Sequence, residues 1–384
     1  MQNDLKISFK LPEIGTSIFA IMSKMANDYN AINLSQGFPD FSCSEELIEL
    51  VNHFMKKGFN QYAPMPGTTE LRNEISKKVN RDYGKFYKPE TEITITAGAT
   101  QALYTAFSTI IQPGDEVIIF EPAYDSYIPA IKINGGIPIP VKLNSNDFSI
   151  RWSEVENKIN PKTKCIVVNS PHNPTGAILK QTDIEHLENI VKKKNIFIIS
   201  DEVYEHIVFD DQKHFSLSSS EELSKRTFVI SSFGKTFHTT GWKIGYCCAP
   251  EYLMKEFRKV HQFIVFTVNT PIQMAMSEYI KNEANIYNLN KFYQNKRDLF
   301  RNLIKDSKFK IRNCNGTYFQ LLDYSVISDK NDFEFSEYLT KEIGVAVIPL
   351  SPFYTNTSSD KLIRVCFAKQ DKIIEEAANK LSRL

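Results

Sequence analysis

The sequence predicts an α/β protein: a sheet with parallel strands covered by helices, followed by a separate α+β lobe. Three observations carry this. Between residues 93 and 231, short β-branched runs alternate with longer helical patterns. The polar residues cluster just after those runs, where open sheets of this class bind ligands. After about Pro271 the alternation gives way to a different order of helix and strand.

The expected strands are ITIT (93–96), VIIF (117–120), CIVVN (165–169), IFIIS (196–200) and TFVIS (227–231). Between them, 101–111 reads as a helix with Leu103, Ala106, Phe107 and Ile110 on one face, and 184–193 reads as another. The later lobe begins with one long helix ending near Ile304. GTYFQLLD, DFEFSEYLTKEI, VAVIPL, LIRVCF and DKIIEEAANKL then alternate strand and helix. The Lys192–Lys194 run reads as a solvated helix end.

At 384 residues the chain fits one large domain plus a smaller one. Lys plus Arg number 46 and Asp plus Glu 45, a formal charge of +1, so no overall field favours nucleic acid or an anionic membrane, and small-molecule partners are expected. Scattered charges at the N-terminus and the lack of a long apolar span give a cytoplasmic expectation. Six cysteines without disulfide or zinc rhythm read as free thiols, and the seven histidines form no metal spacing. His206 and His214, flanking Asp210 and Asp211, are expected on a solvated turn.

SSFGKTFHTTGWKIGY (231–246) resembles a phosphate loop at Gly234, Lys235 and Thr236. The glycine such a loop needs five residues earlier is Val229, so Lys235 requires another role. The other strand ends supply one. After ITIT, Gly98 permits a tight turn, and Ala99 and Thr100 open a helix suited to a phosphate. After VIIF comes Tyr124, an aromatic ring at the crevice, and after CIVVN the prolines of NSPHNPTG hold Asn173 in a fixed turn. Asp201, next to a fully apolar strand, needs a cationic or proton-donating partner. Tyr204 follows it, and Ser232, Lys235 and Lys243 follow the last run. A single ligand satisfies all of them: pyridoxal 5'-phosphate. Asp201 would face its ring nitrogen, Tyr204 and Asn173 its phenolic oxygen and Tyr124 its ring face. Ala99, Thr100, Ser232 and Lys243 would hold the phosphate, and Lys235 would carry the imine.

In the same order and spacing, NLSQGFPDF (33–41), NQYAPMPGTTELR (60–72), TAGATQAL (96–103), EPAYDSY (121–127), NSPHNPTG (169–176), SDEVYEH (200–206), VHQFIVFTVNTP (260–271) and LIRVCFAK (362–369) accompany the lysine segment. Together they resemble the fold type I, class I/II aminotransferases, within them the kynurenine and methionine aminotransferase group. The resemblance implies a mostly parallel seven-stranded sheet with GWKIGYCCAP as its antiparallel strand. It also implies a large domain at 40–275, and a small domain from 1–39 and 276–384. It implies that Lys235 is the Schiff-base lysine, Asp201 the pyridine-nitrogen partner, and Tyr204 and Asn173 the donors to the ring oxygen. Arg364 becomes the substrate-carboxylate clamp, helped by Asn173 and the backbone at Gly37. Tyr62 reaches the phosphate of the neighbouring subunit's cofactor, which implies a homodimer.

Transamination needs a base at Cα, and a lysine serves if burial and a nearby cation lower its pKa. A planar fork in the apolar run LIRVCF suits a carboxylate, with a structural salt bridge as the plain alternative for Arg364. No second arginine offers itself for a distal carboxylate. Phe263, Phe266 and Thr267, with Phe38 and Ile18 by resemblance, are expected to wall an apolar side-chain pocket. Amino acids such as methionine are therefore favoured, with aromatic residues, glutamine and kynurenine also possible donors. A lyase cleaving at Cβ of cysteine-type substrates on the same scaffold is the alternative activity. A ligand-sensing regulator would need a DNA-binding module that the thirty or so residues before NLSQGFPD do not resemble.

Overall fold

The computed structural model describes residues 9–356 and 360–384, so residues 1–8 of the expected small-domain segment lie outside the described residues. The main sheet has seven strands: β1 (Ile93–Thr96), β2 (Glu116–Glu121), β3 (Ile137–Lys142), β4 (Thr163–Asn169), β5 (Phe197–Asp201), β6 (Thr227–Ser232) and β7 (Gly245–Cys248). Their order across the sheet is β1-β7-β6-β5-β4-β2-β3. Only β7 is antiparallel to its neighbours, and it lies in the GWKIGYCCAP segment.

Alternating residues explain why the runs are apolar throughout. Val117, Ile119, Cys165, Val167 and Ile199 pack with Ala102, Ala106 and Phe107 of the helix Gly98–Ile110. Ile118, Phe120, Ile166, Val168 and Ile198 point the other way, onto Leu187, Ile190 and Val191 of the helix Gln181–Lys193. A sheet buried on both faces leaves no position for a polar alternate.

Strand β3 has no counterpart among the expected runs. Its sequence, IPIPVK, carries Pro138 and Pro140, which argue against a strand in the middle of a sheet. It lies at the edge, and the backbone N–H groups of Ile137 and Leu143 donate into the neighbouring strand. That alternation turns positions 138 and 140 outward, where a missing N–H breaks no ladder bond.

The smaller lobe holds a four-stranded antiparallel sheet: β8 (Lys310–Ile311), β9 (Phe319–Asp323), β10 (Ile348–Pro349) and β11 (Leu362–Cys366), in the order β10-β11-β9-β8. Phe319, Leu322, Ile363 and Val365 pack there with Tyr293, Phe300, Phe335 and Ala377. The single long helix expected after Pro271 is instead three, Thr270–Tyr279, Ala284–Tyr287 and Leu289–Ile304. The break is polar: Asn282 accepts from the backbone N–H of Ala284 at 3.2 Å, a local bond that competes with helix continuation.

The turn at Asp210 and Asp211 is exposed, with both residues at positive φ, but the flanking histidines do not share its exposure. His214 Nε2 lies 2.9 Å from buried Glu202, and His206 lies beside buried Glu205. Glu205 also accepts from Lys78 Nζ at 2.7 Å and from the hydroxyls of Tyr83, Ser231 and Tyr246. These bonds fasten the segment that leaves β5. No helix among the described residues is long and apolar enough to cross a membrane.

Candidate active site

Beyond the carboxyl ends of the central strands lies a cavity of about 230 Å³. Residues singled out by sequence line it, among them Gly37, Ala99, Thr100, Tyr124, Asn173, Asp201, Tyr204, Ser232, Lys235, Lys243 and Arg364. They arrive from both lobes. Asp201 ends β5 and Ser232 ends β6, while Lys235 sits in the short helical turn Phe233–Thr236 and Arg364 at the centre of β11.

Burial sets the ionisation. Asp201 is 3% exposed, and desolvation pushes its carboxyl up to about 6, held back by a 2.7 Å bond from the Tyr127 hydroxyl. Its Oδ1 receives only a 3.4 Å contact from the Val203 N–H, which leaves that oxygen open to a further donor. Lys235 is pulled down to about 8, chiefly by desolvation, with Arg364 and Lys243 pushing the same way and Asp201 opposing. Its Nζ donates to the Tyr318 hydroxyl at 2.8 Å and to the Gly37 carbonyl at 3.1 Å.

Arg364 is 1% exposed. Its Nη1 donates to Asn173 Oδ1 at 2.8 Å and Nη2 to the Ser35 carbonyl at 3.1 Å, while Nε has no partner. The guanidinium lies 3.8 Å from the Phe319 ring centroid, with Phe19 and Phe353 at 5.2 and 5.5 Å. None of the ion pairs among the described residues involves Arg364, so the salt-bridge alternative does not hold there. A buried cation without an anion is costly unless a ligand completes it.

The chain matches the aminotransferase class I and II family over residues 29–381. It is 46% identical over 383 residues to methionine aminotransferase of Escherichia coli (strain K12), covering 100% of this chain and 99% of the relative. It is 32% identical to kynurenine–oxoglutarate transaminase of Dictyostelium discoideum, covering 100% and 98%. The solved structure of an Escherichia coli protein identified as having a methionine aminotransferase function superposes with TM-score 0.97 at 46% identity, covering 99% of this chain and 100% of that one. N-succinyldiaminopimelate aminotransferase from Mycobacterium tuberculosis superposes with TM-score 0.95 at 34% identity, covering 98% and 100%. The chain belongs to the class I and II aminotransferases.

Enzymes of this class depend on pyridoxal 5'-phosphate, and the aminotransferase cavity has the donor set for it. The helix Gly98–Ile110 opens without a side-chain cap on its first turn, so its N-terminal N–H groups face the cavity rim unsatisfied by a cap. Lys243, held at φ +53, brings Nζ to 3.4 Å from where a Cβ on Gly98 would stand. A Cβ at Gly245 would come within 3.1 Å of the Ala99 nitrogen, so glycine there keeps the loop close. The open Oδ1 of Asp201 suits a protonated ring nitrogen.

The aminotransferase departs from expectation in its apolar wall. None of Ile18, Phe38, Phe263, Phe266 and Thr267 is among the residues lining the cavity. Ile18 points into the core beside Met22, and the next residue, Phe19, takes the wall position. Phe38 is half exposed beneath Lys369. Phe263 lies in the last turn of the helix Glu251–Ile264 and is 84% exposed, Phe266 follows that helix at φ +64 and is half exposed, and the Thr267 hydroxyl donates to the Pro64 carbonyl. Tyr62 is also 84% exposed, away from the cavity and edge-on to Phe266.

Sequence reasoning missed Tyr127, Tyr318, Phe19 and Phe319. Tyr127 stood inside EPAYDSY and Tyr318 inside GTYFQLLD, but neither directly follows one of the strand-end runs.

Proposed function

We propose that this aminotransferase moves the amino group of an amino acid with an apolar or sulfur-containing side chain to a 2-oxo acid. Methionine is the favoured donor, with aromatic amino acids, glutamine and kynurenine after it. The observation that carries this is Arg364. It is the one guanidinium among the cavity-lining residues, with no carboxylate partner and with Phe19 and Phe319 beside it. The cavity's other cations are Lys235 and Lys243, so a distal carboxylate finds no second arginine on this chain. The names of the methionine and kynurenine relatives support the same substrate class.

In this reading Ala99, Thr100, Ser232 and Lys243 would hold the phosphate of the cofactor, Asp201 its ring nitrogen, Tyr204 and Asn173 its ring oxygen, and Tyr124 its ring face. Bound there, pyridoxal 5'-phosphate supplies a carbonyl that takes and returns the amino group and a ring that withdraws electrons from Cα. Arg364 orients the substrate carboxylate bidentately, with Asn173 and the Gly37 backbone beside it. Lys235 moves the proton at Cα: an amine near 8 is partly neutral at pH 7 and still basic enough to act. Phe19 and Phe319 exclude water from the substrate side.

Tyr62, Phe263 and Phe266 form an exposed apolar group of the kind that marks an interface. They are proposed to meet a second copy, where Tyr62 reaches the partner's cofactor phosphate and the phenylalanines wall the partner's cavity. A cytoplasmic location, with the chain divided into the domains given above, belongs to this reading, and the scatter of six cysteines supports a reducing compartment.

The test is a panel of amino donors, each assayed with several 2-oxo acids. Methionine should rank first, and product should appear only with an acceptor. Preference for aspartate or glutamate, or acceptor-free release of pyruvate and sulfide, refutes the proposal.

A further inference from the structure

We propose that the Tyr318 hydroxyl and the Gly37 carbonyl form a fixed seat for the Lys235 amine, holding it as an ammonium between proton uptake and delivery. Tyr318 is thus a positioning residue for the base. The inference rests on the reading of Lys235 as that base.

Three oxygen and nitrogen atoms make a closed triangle. Tyr318 donates its hydroxyl to the Gly37 carbonyl at 2.6 Å, and Lys235 Nζ donates to both oxygens, at 2.8 and 3.1 Å. Tyr318 donates to Gly37 at 2.6 Å with the Tyr204 hydroxyl as a second neighbour, and an ammonium, which has no lone pair, can only donate to its oxygen. Burial holds the phenol well above its ordinary value, so it stays neutral and is not itself the base. Two acceptors converging on one nitrogen favour its charged form, since an ammonium fills both and keeps a third N–H for the substrate side.

Both acceptors are rigid. Tyr318 is fully buried and packed edge-on to Tyr204 and Phe319, with ring centroids 5.2 and 4.9 Å away. The preceding residue, Thr317, sits at φ +66, a conformation unfavourable for a β-branched residue, with its N–H bonded to the Ile207 carbonyl. That turn brings the Tyr318 hydroxyl against Lys235 and Gly37, behind the cavity wall. Gly37 is equally confined: a Cβ there would stand 2.8 Å from the Phe319 ring. Lys235 Nζ also lies 5.7 Å from the Tyr204 ring centroid, near enough for that ring to assist a cation.

The charged and titratable groups facing Lys235 are Asp201 from β5, Arg364 and Cys366 from β11, and Lys243 from the loop before β7. Burial and the two cations favour the neutral amine, and the seat opposes them. It keeps the amine basic enough to retain a proton while placing it at one point.

The test is Tyr318→Phe in the full chain, with Tyr293→Phe as control. Tyr293 is a buried neighbour at 5.6 Å whose hydroxyl bonds to no described residue. In cofactor-free protein, the pH dependence of Lys235 labelling by an amine-selective reagent, read by peptide mass, gives its ionisation. Tyr318→Phe should lower that midpoint by about one pKa unit, and Tyr293→Phe should leave it in place. In the loaded enzyme the acid limb of kcat, where protonation silences the base, should move down with it, at unchanged amino-acid KM. If Tyr318→Phe folds poorly, a ring-fluorinated tyrosine at 318 keeps the shape, weakens the acceptor and should give a smaller shift of the same sign. An unmoved midpoint in a folded variant, or equal shifts in both variants, overturns the seat. Full activity of Lys235→Ala would instead overturn the reading beneath it.

Discussion

The Tyr127 hydroxyl donates to Oδ2 of Asp201 at 2.7 Å, and both side chains are buried. The bond favours the carboxylate, which a protonated ring nitrogen would need beside it. Tyr127→Phe should weaken cofactor binding about tenfold, the worth of one bond to a charged group at ~1.5 kcal/mol. The loss should be larger at pH 6 than at pH 8, because the variant's Asp201 protonates more readily. Absorbance titration with pyridoxal 5'-phosphate measures it, and an unchanged affinity at both pH values counts against the role given to Asp201.

Asp201 also makes a pH-dependent contribution to the cofactor-free chain. Its folded value of about 6 lies above the ordinary 3.8, so the folded state holds the proton more tightly than the unfolded one. Its stabilising contribution is therefore complete below about pH 4 and lost as pH rises through 6, a change approaching ~3 kcal/mol. Asp201→Asn should remove that dependence. Urea unfolding between pH 4 and 7 should show the variant gaining on the native chain as pH rises, and parallel curves would contradict the burial argument.

Arg364 combines a fork with a stacked ring, and lysine can reproduce neither. Arg364→Lys should lower kcat/KM for the amino acid by about 10- to 100-fold, with cofactor affinity unchanged. Loss of cofactor with retained substrate affinity would mean the guanidinium serves the wrong ligand in this account.

Tyr62 is 84% exposed on its own chain, so a role in catalysis requires a second copy. Lys235→Ala and Tyr62→Ala chains, each weak or inactive alone, should regain about a quarter of native activity when refolded together, since half the dimers are mixed and each has one intact site. No recovery on mixing would place Tyr62 outside the neighbour's site.

The central strands were legible because burial on both faces demands uninterrupted apolar runs, and the residues at their ends were legible because a polar group there must have a reason. Asp201, Ser232 and Lys235 came from that logic. Strand β3 did not, since Pro138 and Pro140 erase the local signal that its edge position makes harmless. Tyr318 and Gly37 meet across 281 residues of chain, a long-range contact that no local pattern announces.

The two prolines on the outer rim of β3 give that rim a one-sided chemistry. The carbonyls of Pro140 and Lys142 already accept from Lys158 Nζ at 2.7 Å and Arg151 Nε at 3.0 Å, and at 138 and 140 there is no amide hydrogen to offer an incoming backbone. A neighbouring molecule cannot continue the hydrogen-bonded ladder at those positions, so this border resists templated fibre growth. Self-association through side-chain surfaces, such as the aromatic group around Tyr62, meets less competition from strand-to-strand addition.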